Sequence, residues 1–259
     1  MFMEERHREI LQAIADRGRI SIAEIQERFD VSPDSARRDL RILEEKGLLK
    51  RTHGGAIPAR QVDARPPRHR DMKDMEVYEN YGAIAKKAAE YVAPNDVIYL
   101  TSGSVGFLML RHLPKDIPYT IVVNSVTLAE ELKYWDNVEV YVAGGKMRMH
   151  GTTSLVDSFA TAFVRNLRFD KCFMTGAGLS ARFGFSNGTD ETATFQRAVI
   201  DNSRKSILLM PNQKIAFDAF IKVCDADRFD LLITDWDAVE DELKKIEELG
   251  VEVVVVEKP

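Results

Sequence analysis

Cysteine is nearly absent from this sequence: Cys172 and Cys224 are the two in 259 residues, they share no Cys-x-x-Cys spacing, and both sit in apolar, strand-like surroundings. This excludes a disulfide framework and argues against a structural zinc site. It predicts two reduced thiols buried in the core. Long hydrophobic runs are missing as well. No uninterrupted apolar stretch approaches the ~20 residues that a membrane-spanning helix needs. The opening MFMEERHREI turns charged almost at once and has no apolar signal-peptide core. The expectation is a cytoplasmic protein with no membrane partner. A global excess of positive charge is also lacking: 36 Lys+Arg against 41 Asp+Glu leave a net charge of -5, so composition alone announces no nucleic-acid binder.

The distribution of charge says more than its total. Residues 1–36 hold five basic and eight acidic side chains, residues 37–70 ten basic and four acidic, and residues 71–259 hold 21 basic and 29 acidic. A positive block inside an acidic protein is the pattern of one surface that meets phosphates while the rest stays soluble. The length accommodates two domains with separate cores.

The positive block falls in a run of short helices. Ile10, Leu11, Ile14 and Ala15 recur at helical spacing within 4–17, and Gly18 ends that helix. Ser21 with Glu24 three residues later reads as a capping box opening a helix over 22–29, with Ile22, Ile25 and Phe29 as its apolar stripe. Ser32-Pro33-Asp34 opens a third helix that runs to Lys46 and stops at Gly47. Ala36, Leu40 and Leu43 form its packing face. Leu48 and Leu49 then continue the core, and a hairpin turning at Gly54-Gly55 follows. Three short helices with a basic hairpin describe a winged helix-turn-helix over residues 1–57. A Pro/Arg-rich stretch without apolar periodicity, 58–76, reads as a linker.

In this module the groups predicted to meet a double-stranded DNA operator are Ser32, Ser35, Arg37, Arg38 and Arg41 on the third helix and Lys50, Arg51 and His53 in the wing. Arginine suits the task because its planar fork grips a phosphate, or the O6/N7 edge of guanine, with two hydrogen bonds. The competing reading is a solvated charged helix, in which Arg37 and Arg41 pair with Asp34, Asp39, Glu44 or Glu45. The tri-helical context and the wing favour DNA.

From residue 77 to 259 short apolar runs alternate with helical patterns, as expected of a largely parallel sheet covered on both faces. The runs are 95–101, 119–123, 138–143, 170–175, 206–210, 231–234 and 251–256. Strand 95–101 leads directly into Ser102-Gly103-Ser104-Val105-Gly106 and a helix, a turn that presents N–H groups and hydroxyls to an anion. Other polar loops follow neighbouring strands: Asn124-Ser125, Gly144-Gly145 and Thr175-Gly176-Ala177-Gly178. Lys214 lies beyond strand 206–210. Ligands of open parallel sheets settle at such strand ends, so Ser102, Gly103, Ser104, Asn124, Ser125, Gly144, Gly145, Gly176 and Lys214 are the candidate effector groups. An isomerase or transferase would need a positioned base near this mouth. Gly-Ala-Gly-Leu follows strand 170–175 in place of a carboxylate cluster, and Asp190 and Glu191 read as acids at a helix start. The expectation is a receptor without catalytic residues, resident metal or cofactor.

The stretch VSPDSARRDLRILEEKGLLKRTHGGAIP, within Arg6 to Pro58, resembles the DeoR-type (GlpR-type) family of bacterial sugar-metabolism regulators. Val31, Ser32, Arg37, Arg38, Asp39, Leu40, His53, Gly54, Gly55 and Ala56 match its motif, while Ser35-Ala36 stands where Thr-Ile is usual. The resemblance continues through Ser102-Gly103, Asn124-Ser125, Gly144-Gly145, Phe169-Asp170-Lys171, Gly176 and Gly178, Glu191, Lys214 and Ile233-Thr234-Asp235. It implies a three-layer α/β/α sensor domain similar to ribose-5-phosphate isomerase, a phosphorylated-sugar effector, and a repressor released by that effector. Thr101 and Pro211 stand where this family carries Asp, and Val105-Gly106 where it carries two threonines, which leaves the identity of the sugar open. A module of this size reads two half-sites as a pair, so a homo-oligomer, dimer or tetramer, is expected.

Overall fold

The computed structural model describes residues 3–17, 19–45, 48–52, 54–58, 79–147 and 154–259. The chain divides into two compact units, Met1–Ala64 and Arg65–Pro259.

In the first unit the helices are α1 (Met3–Arg17), α2 (Ile22–Phe29) and α3 (Pro33–Glu45), and the strands are β1 (Ile20–Ser21), β2 (Leu49–Thr52) and β3 (Gly55–Pro58). The capping box of α2 is present: Ser21 Oγ accepts from Glu24 N at 3.1 Å, and Ser21 N donates to Glu24 Oε2 at 2.7 Å. Such a cap contributes about 1 kcal/mol, and Asp30 ends the helix in the left-handed region at φ 51°. Ser32 Oγ accepts from Ser35 N at 3.2 Å, so α3 also starts on a side-chain cap. Ile10, Ile14, Ile20, Ile25, Ala36, Leu40, Leu43 and Leu49 close a core that binds the three helices to the sheet.

That sheet departs from a plain hairpin. Its order is β1-β3-β2, and Gly55 pairs with both Ser21 and Thr52. Gly55 therefore belongs to β3, and the described turn residue is Gly54. The two-residue strand β1 is too short to show any alternation, and it is what draws Gly55 into the sheet. Leu49 is buried, but Leu48 is exposed and is not core. The expected linker, 58–76, lies outside the described residues apart from Pro58, which ends β3.

The second unit is built on a seven-stranded parallel sheet. Its strands are β4 (Val97–Leu100), β5 (Tyr119–Val123), β6 (Val138–Val142), β7 (Phe169–Met174), β10 (Ser203–Leu209), β12 (Leu231–Asp235) and β13 (Glu252–Val256), in the order β13-β12-β10-β7-β4-β5-β6. Alternate residues of one strand serve opposite faces. Ile98, Leu100, Phe173, Ile207, Leu209 and Ile233 pack with α4 (Glu79–Ala89), α5 (Ser104–Met109) and α6 (Val126–Leu132). Tyr99, Cys172, Met174, Leu208 and Leu232 pack with α7 (Ser158–Arg165), α8 (Asp190–Asp201) and α9 (Glu240–Glu248). Burial on both faces is why these strands read as continuous apolar runs, and it gives the three-layer α/β/α arrangement.

A second, antiparallel sheet was not legible: β8 (Gly178–Ser180), β9 (Gly184–Asn187) and β11 (Ile221–Cys224), in the order β11-β9-β8. Gly-Leu-Ser and Gly-Phe-Ser-Asn are too short and too polar to show alternation, although Phe185 and Ser186 are fully buried. Helix α7 begins at Ser158. Ser154 and Leu155 form bridges to Ser125 and Met147, and Asp157 takes the N-cap. Both cysteines are free, but only Cys172 is buried in the core; Cys224 is half-buried on β11.

Candidate DNA interface and effector site

Helix α3 has two distinct faces. Ala36, Asp39, Leu40 and Leu43 are buried, while Arg37, Arg38 and Arg41 are exposed. Arg37 reaches Asp34 at 3.1 Å in a pair open to solvent. Such pairs contribute about 0–1 kcal/mol, so this one yields readily to a phosphate or a base edge. Arg38 makes no ion pair with any of the described residues and is the least encumbered arginine on the helix. Ser32 and Ser35 are joined through their hydroxyls at 3.0 Å and act first as the helix cap.

In the wing, Arg51 is exposed, but it is not simply an outward phosphate hook. Its Nε donates to Glu44 Oε2 at 2.7 Å and its backbone N to Glu44 Oε1 at 2.8 Å, which fastens β2 onto α3. The side chain of Lys50 and the whole of His53 lie outside the described residues.

The acid of the Arg-Arg-Asp-Leu run has a role that spacing did not reveal. Asp39 pairs with Arg6 of α1, at 2.6 Å from Nε and 3.0 Å from Nη2, and with His7 Nε2 at 3.0 Å. Burial pulls the Asp39 carboxyl upward, but the hydrogen bonds from Arg6 and His7 outweigh it and hold the group below its ordinary value. Asp39 therefore ties α3 to α1 and takes no part in pairing Arg37 or Arg41.

In the second unit the sheet reverses direction of growth between β4 and β7. The chain runs outward through β5 and β6 and returns on the other side of β4, so the ends of β4 and β7 form the topological switch point, where ligands of open α/β sheets settle. Thr101 Oγ1 and Thr175 Oγ1 meet there at 3.2 Å. A Cβ on Gly103 would lie 2.2 Å from Thr175 Oγ1, so a larger residue would have to displace the Thr175 hydroxyl where the turn after β4 meets the loop after β7. Ser102 and Ser104 flank it, half-exposed, with no side-chain hydrogen bond to any of the described residues. Lys214, on the single helical turn Asn212–Lys214, donates from Nζ to the Gly176 carbonyl at 2.9 Å. The loop after β7 thus stands between the Ser102–Ser104 turn and Lys214, and it brings Ser102, Gly103, Ser104, Gly176 and Lys214 to one region.

The remaining candidates have internal tasks. Asn124 is buried: its Oδ1 accepts from Tyr99 OH at 2.9 Å and its Nδ2 donates to the Leu155 carbonyl at 3.1 Å. Its amide oxygen and nitrogen each hold one partner inside the core. Ser125 is buried and caps α6, accepting from Leu128 N at 3.4 Å. Gly145 has φ +146°, and a Cβ there would meet Asp157 Oδ1 at 2.5 Å. Asp157 in turn caps α7 and accepts from Lys146 N, so the Gly144-Gly145 bend serves that cap. These residues follow β5 and β6, on the side of β4 away from Lys214. A strand-end pattern in sequence cannot separate a polar residue that faces the mouth from one that seals the layer behind it. Asp190 and Glu191 are exposed in the first turn of α8.

Among the described residues no cluster of His, Cys, Asp or Glu is arranged to hold a metal ion, and no helix is long and apolar enough to cross a membrane.

Residues 6–62 match the DeoR-like helix-turn-helix domain, and residues 77–236 match the DeoR C-terminal sensor domain. The sequence is 31% identical, over 98% of both chains, to the HTH-type transcriptional regulator GlpR of Haloferax volcanii. It is 29% identical to the lactose phosphotransferase system repressor of Staphylococcus aureus, over 99% of this chain and 100% of that one. With the HTH-type transcriptional regulator GolR of Listeria innocua it shares 28% identity, over 99% of this chain and 100% of the other. Among solved structures, ribose 5-phosphate isomerase A of Methanocaldococcus jannaschii aligns with 52% of this chain and 53% of its own, at 15% identity and a TM-score of 0.39.

Proposed function

Since this chain belongs to the DeoR family of transcriptional regulators, we propose that it is a sequence-specific repressor of a carbohydrate-utilisation operon, released from its operator by a sugar phosphate bound at the strand ends of its sensor unit. The observation that carries this reading is α3, whose buried face is locked by Asp39 and whose open face offers Arg37, Arg38 and Arg41. A solvated helix needs no such fastening; a helix that must enter a groove at a fixed angle does. The repressor sense draws support from a relative named for that action. Two half-sites read by a pair of such modules make the working form a homo-oligomer.

Ser102, Gly103 and Ser104, with Lys214 beyond the Gly176 loop, form the proposed phosphate hold. The turn offers N–H groups and two hydroxyls, and the lysine offers matching charge. A charge-assisted contact of this kind contributes about 1.5–3 kcal/mol. Lys214→Ala should therefore weaken the effector roughly 10- to 100-fold and leave operator affinity without effector unchanged. Calorimetric titration of the effector and a binding titration of the operator check the two halves separately.

Melting of the purified protein against glucose 6-phosphate, fructose 6-phosphate, ribose 5-phosphate and their parent sugars tests the reading as a whole. A ligand bound to the native state at about 100 times its Kd raises stability by about 2.7 kcal/mol, a shift readily seen. A raised midpoint for a phosphorylated sugar and none for its parent is the expected result. Turnover of a sugar phosphate that disappears on replacing Asp190 or Glu191 would identify a catalyst instead.

A further inference from the structure

Asn80 lies in the first turn of α4, the first described element after the 59–78 connection from β3. It is buried, and its Nδ2 donates both to Gln213 Oε1 at 3.2 Å and to Asp235 Oδ2 at 3.1 Å. Asp235 closes β12 and is completely buried. Its carboxylate also accepts from Asn212 N at 2.8 Å, from Asn212 Nδ2 at 2.7 Å and from Asp237 N at 3.3 Å. Asn212, Gln213 and Lys214 make up one turn of helix. A single buried amide thus joins three things: the start of α4, the end of β12, and the turn that carries Lys214.

This network does not serve simply to hold α4 on the sheet, because Ile84, Ala85 and Ala88 already seal the helix against Ile207, Leu209 and Ile233. What the polar network adds is a fixed register between the helix start and the 212–214 turn. A buried carboxylate tolerates few intermediate positions. If the turn moves, Asp235 either loses the two donors of Asn212 or keeps them and is displaced from Asn80, and each loss strands a buried polar group. An element that can only keep or lose such bonds is suited to switching between discrete arrangements.

We propose that Asn80 is a relay: through Asp235 and Gln213 it transmits the state of the Lys214 turn to the first turn of α4, and from there to the connection that leads to the DNA-binding unit. The relay rests on the sensor reading above only for the identity of what moves the turn.

The test uses the full-length wild type, Asn80→Ala and Gln213→Ala. The second variant removes the direct bond between the turn and Asn80, which the relay requires, and leaves every donor to Asp235 in place. Affinity is measured for the duplex that the wild type selects from a random pool, alone and with saturating glucose 6-phosphate, fructose 6-phosphate or ribose 5-phosphate. Hydrogen exchange is followed at residues 79–89. Both variants without ligand should differ from the wild type in duplex affinity by at least about fivefold, the lower end of ordinary allosteric coupling. The α4 amides should exchange faster while those of β5 keep their protection, and the response to the sugar phosphate should shrink. Should Asn80→Ala lose protection throughout the sheet, Gln213→Ala decides alone. Wild-type duplex affinity in ligand-free Gln213→Ala, or an undiminished response to the sugar phosphate, overturns the relay. If none of the three sugar phosphates binds the wild type, the sensor reading fails, and a changed duplex affinity in the variants still supports the relay.

Discussion

Asp39→Ala should abolish operator binding by releasing the recognition helix, without removing any contact to DNA. The carboxylate is buried and holds Arg6 and His7 of α1. Removing one member of a buried ionic group leaves the others uncompensated and costs about 3–5 kcal/mol, a large share of the stability of a unit this small. Hydrogen exchange of the full chain reads it: amides of α1 and α3 should lose protection, while those of the parallel sheet should not change. The pH dependence has a definite sign. The folded-state value of Asp39 lies below the ordinary carboxylate value, so its contribution is complete above about pH 4. It is lost as pH falls through the lower folded value. The difference between wild type and variant should therefore hold at neutral pH and shrink on acidification below about pH 4. Equal protection of α1 and α3 in the two proteins at pH 7 would show that the ion group does not position the helix.

Replacing Arg37, Arg38 and Arg41 together by alanine should lower operator affinity at least about 100-fold with the fold intact. Each arginine that grips a guanine edge is worth about 1–3 kcal/mol of discrimination, and three at the low end, about 3 kcal/mol together, already exceed that factor. All three side chains are exposed on α3, and the core residues of that helix are untouched by the change. The loss should fall mainly on the selected sequence, with non-specific duplex binding reduced far less. Arg51→Ala makes an instructive contrast. If Arg51 reaches a phosphate when DNA displaces Glu44, its loss should weaken all duplexes alike and reduce the salt slope by about one. Competition titrations with specific and random duplexes at several salt concentrations separate the two patterns. A triple variant that still prefers the selected duplex as the wild type does would remove α3 from the role of reader.

Much of this was legible because the deciding signals are local. Ser21 with Glu24 marks the start of α2, Ser32-Pro33 marks the start of α3, and β5 runs from Tyr119 to Val123 as its apolar run indicates. What stayed hidden depends on partners far apart in sequence. Asp39 has several cations within four residues, yet its partners are Arg6 and His7, more than thirty positions away. Asn80 and Asp235 are separated by 155 positions, so no spacing rule links them. Asn124 is a polar residue at a strand end whose bond from Tyr99, on the neighbouring strand, is equally invisible to spacing. In sequence the Ser102–Gly106 turn reads as an anion turn; what spacing does not show is that Gly103 also passes close to Thr175 at the switch point.

If one chain reads DNA and a sugar phosphate at the strand ends reverses the reading, the two affinities must be coupled. The most direct measurement titrates the full-length protein onto its selected duplex at fixed salt, with and without a saturating sugar phosphate that raises its melting temperature. The ligand should weaken duplex affinity by about 5- to 150-fold, and the duplex should weaken the ligand by the same factor. Lys214→Ala should reduce the response at a given ligand concentration. Duplex affinity that is unchanged at saturating ligand, in a protein that demonstrably binds both, would contradict the coupling.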